Sequence, residues 1–392
     1  MTETWEVPLH LRRTGIDPVE ELAKARDSER VVRVETPSGQ PAYLVFRHDD
    51  VRRVLADPAR FSSALTPLSG AGQGRASVPG QLITLDPPEH TRLRRLLTPE
   101  FTVRRMSRLR PRIAEIVETA LDDLERAGKP ADLVEHFALP VPSLVICELL
   151  GVPYADRSGF HERAVRILDT SLPVNDRMEA QREDHDYMAG LVARAQADPG
   201  EDLLGMLVRE HGRDLTSAEL TGIAGLLLLA GHDTTSNMLG LGTLALLWHP
   251  DQLAMLRDDP GLVEPAVEEL LRWLSIVQTP PPRTTTTEVE IAGHTIPAGS
   301  LVICSLPAAN RDPALISDPE ILDITRGSTG HVAFGHGAHH CLGAPLARME
   351  LRIALPALLR RFPGLAMAGP DDRVDFRVFS LVYGVRALRV TW

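Results

Sequence analysis

The chain has 392 residues, 43% of them hydrophobic, and a formal net charge of −11 at pH 7. That length supports a large core and, as a soft prior, two or three domains, while the acidic balance argues against a nucleic-acid binder. The three cysteines, Cys147, Cys304 and Cys341, are odd in number and far apart. They make neither a disulfide framework nor a four-cysteine iron–sulfur cluster, and they suit a reducing cytoplasm.

The first residues, 1–13, carry charges and a proline but no apolar core, so no signal peptide or anchor is expected. The longest apolar run, 222–231, is too short to span a membrane. Residues 17–30 read as a short helix. Val31–Glu35 and 42–46 read as a hairpin through Pro37-Ser38-Gly39, and 49–55 as a helix that stops near Pro58. The stretch 62–88 is rich in Ser, Gly and Pro and reads as a loop. Its Gly70-x-Gly72-x-Gly74 lacks the strand–helix context of a dinucleotide fingerprint, so no reductase domain is evident. A helix opens at Asp86-Pro87-Pro88-Glu89. One turn apart on it, His90 and Arg94 share a face. They suit either a grip on one acidic group or a solvated basic surface. Arg92, Arg95, Arg104, Arg105, Arg108, Arg110 and Arg112 make a local positive patch, read as solvated surface or as a docking face for an acidic protein. Residues 111–127, 136–150, 154–170, 176–197 and 201–210 read as further helices.

Thr216-Ser217-Ala218-Glu219 is a capping-box start, and a helical pattern runs on to Trp248, stopped by His249-Pro250. At ~1.5 Å per residue this helix spans roughly 50 Å, against a radius of gyration near ~21 Å for a compact chain of this length. Its middle must therefore be buried. That middle nevertheless carries Ala230-Gly231-His232-Asp233-Thr234-Thr235, and a buried charge is costly unless partnered or useful. Gly231 beside Thr234 suggests a local opening of the helix; the alternative is a threonine bonded back to its own helix.

Residues 262–274 form a second helix with Glu269-Leu270-Leu271-Arg272. Glu-x-x-Arg also occurs at 89–92, 179–182 and 210–213, so the spacing alone selects none of them. Pro280-Pro281-Pro282-Arg283 stiffens an extended segment. Strands are expected over 289–296 and 301–305, around turns at Ala292-Gly293 and Pro297-Ala298-Gly299, and over 374–378 and 385–390.

Phe334-Gly335-His336-Gly337-Ala338-His339-His340-Cys341-Leu342-Gly343 sets one cysteine among glycines, which permit tight bends. Pro345 and the apolar period 346–359 open a helix just after it, where the dipole and free N–H groups favour a thiolate. A buried turn cysteine, or a zinc site with His331, His336, His339 and His340, are the competing readings. The stretch resembles the ligand loop of the cytochrome P450 family, Phe-Gly-x-Gly-x-(Arg/His)-x-Cys-x-Gly, and is similar to its soluble bacterial branch.

The resemblance implies a mainly α (α+β) fold: one domain over 1–392, a helical bundle around a long central helix, with small peripheral sheets enclosing haem b. It implies a haem-thiolate monooxygenase that inserts one oxygen atom of O₂ into an apolar small molecule, with tailoring of a secondary metabolite or xenobiotic oxidation as the setting. Cys341 matches the axial thiolate, with Phe334, Gly335 and Gly343 around it. His90, Arg94, Arg283 and His339 match propionate-binding positions. Asp233 and Thr234 match the oxygen-binding motif (Ala/Gly)-Gly-x-(Asp/Glu)-Thr-(Thr/Ser), with Thr234 positioning dioxygen and water and Asp233 relaying protons. Glu269 and Arg272 match a structural pair behind the haem. Leu226, Leu229, Ala230, Ile276, Val277, Leu381 and Val382 are the implied substrate pocket, with Leu65, Leu68, Val78 and Leu82 as weaker candidates. Electrons would come from a separate ferredoxin and its reductase. The protein would be a cytoplasmic monomer. A peroxide-using or rearranging haem-thiolate protein, and a non-enzymatic haem binder, are the alternatives.

Overall fold

The computed structural model describes residues 7–35, 41–64, 78–327, 330–369 and 374–392. The turn Pro37-Ser38-Gly39, the run Gly70–Gly74 and the pocket candidates Leu65 and Leu68 lie outside the described residues. The chain divides into two compact units.

The first unit draws on the described residues up to 64, on 82–94 and on 268–342. Its centre is a five-stranded sheet in the order Val31–Glu35, Pro41–Val45, Leu301–Cys304, Arg283–Thr285, Phe61–Ser62. The Pro41–Val45 and Leu301–Cys304 strands are parallel, and the other neighbours antiparallel. All four residues of Leu301–Cys304 are buried, and they alternate between two cores. Val302 and Cys304 pack with Val45, Val51 and Val289, whereas Leu301 and Ile303 pack with Ala42, Leu44 and Phe46. Alternation with a period of two, apolar on both faces, is the pattern of a strand covered on each side. The expected second hairpin pairs Val289–Ile291 with His294–Ile296. Its turn residues Ala292 and Gly293 have φ of 51° and 81°, the left-handed pair that a two-residue hairpin turn requires.

The second unit comprises the described residues of 78–81, 95–267 and 343–392. It is helical and built on Ser217–Trp248, which packs against Pro140–Leu150, Val174–Ala197, Arg157–Leu168 and Ala344–Arg361. The expected capping box is present: Thr216 Oγ1 accepts from the Glu219 N–H at 3.2 Å, and Glu219 Oε2 accepts from the Thr216 N–H at 2.8 Å. The helix ends at His249, ahead of Pro250. The helix expected over 136–150 is divided. A π-helical turn, Val134–Ala138, precedes Pro140–Leu150, and the Leu139 N–H donates to the Val134 carbonyl at 3.0 Å. Pro140 and Pro142 have no N–H to give to an α ladder, so the chain re-enters the helix through a wider turn. The expected strands over 374–378 and 385–390 are not formed as such. Phe376 and Val385 make an isolated bridge, and the strand is the shorter Arg389–Thr391. Among the described residues no helix is long and apolar enough to cross a membrane.

Candidate active site

In the first unit the cysteine loop folds back on itself. The Cys341 N–H donates to the Phe334 carbonyl at 2.9 Å, and the Gly335 N–H to the Val332 carbonyl at 2.8 Å. Gly335 and Gly337 have φ of 71° and 72°. Gly337 must be glycine twice over, since a Cβ there would lie 2.5 Å from the Leu55 carbonyl oxygen. Gly343 has an ordinary φ of −79° and caps the helix Ala344–Arg361. Of the three cysteines, Cys147 and Cys304 are buried and Cys341 is exposed. Burial pushes the Cys147 and Cys304 thiols up to about 12, where neither ionises to serve as a ligand.

Four basic side chains gather near this loop. The His90 and His339 rings are 4.1 Å apart, centroid to centroid. His339 Nε2 lies 2.9 Å from Ser63 Oγ, and Arg94 Nη2 donates to the His340 carbonyl at 2.6 Å. Arg283 is buried and donates to the Pro281 carbonyl at 2.7 Å. Desolvation, then repulsion from His90, Arg283 and Arg94, pushes His339 down to about 3. Desolvation, then Arg94, lowers His90. Arg94 and Arg283 are lowered by desolvation, against the pull of Cys341 and Cys304 respectively. The nearby carboxylate of Asp86 accepts from Ser62 Oγ and from the Ser63 N–H. His90 Nε2 is buried and has no partner among the described residues. The cluster therefore sets two guanidiniums, Arg94 and Arg283, beside two imidazoles whose protonation burial and those guanidiniums oppose, and it holds one buried nitrogen, His90 Nε2, with no partner among the described residues.

Glu269 and Arg272 form a two-pronged ion pair at 2.7 Å per bond. Arg272 also donates to the carbonyls of Asn310, Pro319 and Ile321, and Glu269 Oε1 accepts from the Asp323 N–H at 3.1 Å. The pair thus ties its helix to the irregular chain 310–323.

In the second unit, the long helix runs unbroken through Ala230–Thr235. The expected local opening is absent from it, for two reasons. Gly231 lets the Ile146 side chain approach closely, since a Cβ there would lie 2.7 Å from Ile146 Cδ1. Thr234 Oγ1 donates to the Ala230 carbonyl at 2.7 Å, bonding back to its own turn. Asp233 is fully buried, and its Oδ1 accepts from Arg377 Nη1 at 2.8 Å. Arg377 Nη1 also donates to Asn237 Oδ1 at 3.2 Å, and Asn237 Nδ2 donates to the Asp233 carbonyl at 2.7 Å. Arg377 and Asn237 were not anticipated from sequence. A buried carboxylate calls for a cation, but with 42 basic residues in the chain nothing local pointed to position 377.

Of the aliphatic pocket candidates, Leu226 and Leu229 are half-buried and Ala230 is exposed on the long helix. Ile276 is buried and Val277 packs on the first unit's core. Val382 is buried, and the Leu381 N–H donates to the Leu168 carbonyl at 3.2 Å. Val78 is exposed and Leu82 buried. Among the described residues no group of three or more His, Cys, Asp or Glu side chains is placed to hold a metal ion.

The chain matches the family described as Cytochrome P450 over residues 20–181 and 261–375. It is 55% identical to Cytochrome P450 FAS1 of Rhodococcoides fascians over the full length of both chains. It belongs to the cytochrome P450 family. Two solved structures are similar to it. P450 StaH, from the biosynthesis of the glycopeptide antibiotic A47934, has a TM-score of 0.88 and 48% identity, covering 99% of this chain and 100% of that one. CYP105P1 in complex with filipin I has a TM-score of 0.92 and 42% identity, covering 97% of each chain. This cytochrome P450 therefore has the family's fold and is a haem-dependent monooxygenase, with haem b carried on an axial cysteine thiolate. The residues present fit that group. One exposed cysteine supplies a sulfur, and two guanidiniums with two imidazoles, one of them bearing a buried nitrogen with no partner among the described residues, suit two carboxylates.

Proposed function

We propose that this cytochrome P450 inserts an oxygen atom from O₂ into an apolar small molecule during tailoring of a secondary metabolite, with residues 1–392 acting as one catalytic domain. The observation that carries the reading is the exposed Cys341, on a loop beside Arg94, Arg283 and the buried nitrogen of His90 that has no partner among the described residues. In this proposal Cys341 is the axial ligand, Phe334, Gly335 and Gly343 shape the loop around it, and His90, Arg94, Arg283 and His339 hold the propionates. When bound, haem supplies the redox centre at which dioxygen is reduced and one of its atoms passes to substrate.

The chain's residues do the rest. Thr234 Oγ1 orients dioxygen and water by hydrogen bonding, and Asp233 Oδ2 delivers a proton. Leu226, Leu229, Ala230, Ile276, Val277, Leu381 and Val382 contact the substrate. None of these ionises, so the pocket recognises shape and apolar surface and discriminates weakly between close homologues. StaH, from the biosynthesis of a glycopeptide antibiotic, and CYP105P1, in complex with filipin I, support a bulky natural product as substrate. The electron donor is a separate ferredoxin, the protein a cytoplasmic monomer. Arginines such as Arg92, Arg95 and Arg104 offer the donor a basic face. On the same stretch Arg105 pairs with Glu100, and Arg112 with Glu115 and Glu148.

The test is the reduced, carbon monoxide-bound absorption spectrum of wild type and of Cys341→Ser, followed by product formation with a ferredoxin system. A thiolate-type Soret band in wild type that is lost in C341S supports the reading. A band of imidazole type in wild type, or one that survives in C341S, sinks it.

A further inference from the structure

In the second unit, three buried polar atoms on neighbouring side chains have no protein partner among the described residues: His161 Nδ1, His232 Nε2 and Asp233 Oδ2. They belong to one cluster. The His161 and His232 rings are 5.8 Å apart at 74°, the helix Arg157–Leu168 packs on the long helix, and His161 feels the charges of His232, Asp233 and Arg377.

The hydrogen-bonding inventory is specific. His232 Nδ1 faces the Leu228 carbonyl at 2.9 Å, so it carries the proton and donates. In the neutral ring Nε2 is then an acceptor. Asp233 spends Oδ1 on Arg377, which leaves Oδ2 as a second acceptor. Two acceptors without a donor need a group that gives two hydrogens, and His161 Nδ1–H can give that group a third bond. One water satisfies all three atoms, and three bonds is the usual number for a buried water.

We infer that His161, His232 and Asp233 share one buried water, and that this water is the inner step of a proton route from solvent through His161 to Asp233. The inference rests on Asp233 being the proton donor of the proposed function. His161 is half-buried, with Nδ1 facing inward. As solvent protonates the ring at Nε2, its Nδ1 gives a proton to the water and the water gives one of its own to Asp233 Oδ2, so the ring ends neutral as the other tautomer and the net transfer is one proton from solvent to the carboxylate. Burial, with His232 adding to it, pushes His161 down to about 4, so the ring works as a neutral tautomer switch at neutral pH. His232 holds the water and does not titrate usefully, since burial lowers it too. Both histidines act through Asp233 and are positioning residues for it.

Two measurements decide the matter. A high-resolution crystal structure of the haem-loaded enzyme should show one water within hydrogen-bond reach of all three atoms. Its absence, or direct bonds among the three side chains, overturns the inference. In the holoenzyme, His161→Phe should lower product formed per NAD(P)H about 10-fold or more and raise the solvent isotope effect on turnover. His161→Asn, which can still bond the water, should recover part of both. Asp233→Asn separates the two layers. If D233N loses coupling and H161F does not, the route fails and the role of Asp233 stands. If D233N stays fully coupled, both fail.

Discussion

Arg272 reaches Glu269 through both Nε and Nη2 at 2.7 Å, and neither side chain exposes any surface. Removing Glu269 leaves the buried Arg272 charge uncompensated, which costs about 3–5 kcal/mol, and removing Arg272 leaves Glu269 with only Arg326, at 3.6 Å, as a cation among the described residues. Arg272→Ala also orphans the carbonyls of Asn310, Pro319 and Ile321, so it should cost at least as much as Glu269→Ala. Both variants should purify with little haem and unfold at markedly lower denaturant. Wild-type haem content in either one would show that the pair does not hold the segment leading to Cys341.

Arg377 and Asp233 make the corresponding prediction in the other unit. The pair is buried on both sides, so Arg377→Met should destabilise by about 3–5 kcal/mol, read from urea unfolding. The double variant Arg377→Met with Asp233→Asn removes both charges and should recover much of that loss. A double variant no more stable than R377M would mean that Arg377 matters for packing and not for charge.

Much of this was legible in the sequence because the decisive signals are local. The capping box at Thr216 and Glu219, the proline stop at Pro250 and the hairpin turn at Ala292-Gly293 each depend on a few adjacent residues, and each formed as expected. The cysteine loop was legible for the same reason: its glycines answer backbone demands at 335 and 337. What failed or was missed is non-local. Gly231 suggested an opened helix, whereas its missing side chain makes room for Ile146 from another helix. The residues 374–378 carry strand propensity but find only a single bridge. Arg377 and His161 join the Asp233 cluster from sequence positions about 144 and 72 residues away, at distances no short pattern records.

Thiol labelling separates the cysteines. Cys147 and Cys304 are buried, with thiols pushed up to about 12, so at pH 8 almost none of either is thiolate. Cys341 is exposed. Iodoacetamide should therefore modify Cys341 first in haem-free protein, and haem should protect it. Peptide mass mapping reads the result, and labelling of Cys147 or Cys304 ahead of Cys341 would contradict the assignment of the ligand.

Two kinds of buried group tilt stability in opposite directions with pH. Glu350 is fully buried, and desolvation raises its folded-state pKa well above 4.5. Its proton is lost from the unfolded chain first, so stability falls as pH rises from about 4.5 through the folded value. His10 and His161 are pushed down to about 4 by burial. The unfolded chain protonates them first, so they cost stability as pH falls from about 6.5 to about 4. Glu350→Gln should flatten the alkaline limb of the unfolding free energy, and the pair His10→Asn with His161→Asn the acid limb. Urea unfolding from pH 4.5 to 9 measures both, and an unchanged alkaline slope in E350Q would mean that Glu350 is ionised in the folded chain.

Thr234 donates to the Ala230 carbonyl at 2.7 Å, so a structural role alone would make Thr234→Ala nearly silent: the helix keeps its backbone bonds and loses one side-chain bond worth about 1 kcal/mol. The proposed role predicts more. A hydroxyl free to turn from Ala230 to a water or dioxygen keeps proton delivery aimed, and without it two electrons and two protons leave with O₂ as hydrogen peroxide. T234A should therefore consume NAD(P)H at a rate near wild type, while product falls and peroxide rises in compensating amounts. Thr234→Ser, which keeps the hydroxyl, should restore most of the coupling. If T234A stays coupled, the hydroxyl is only a helix bond; if T234S is as uncoupled as T234A, the methyl group rather than the hydroxyl is what the site requires.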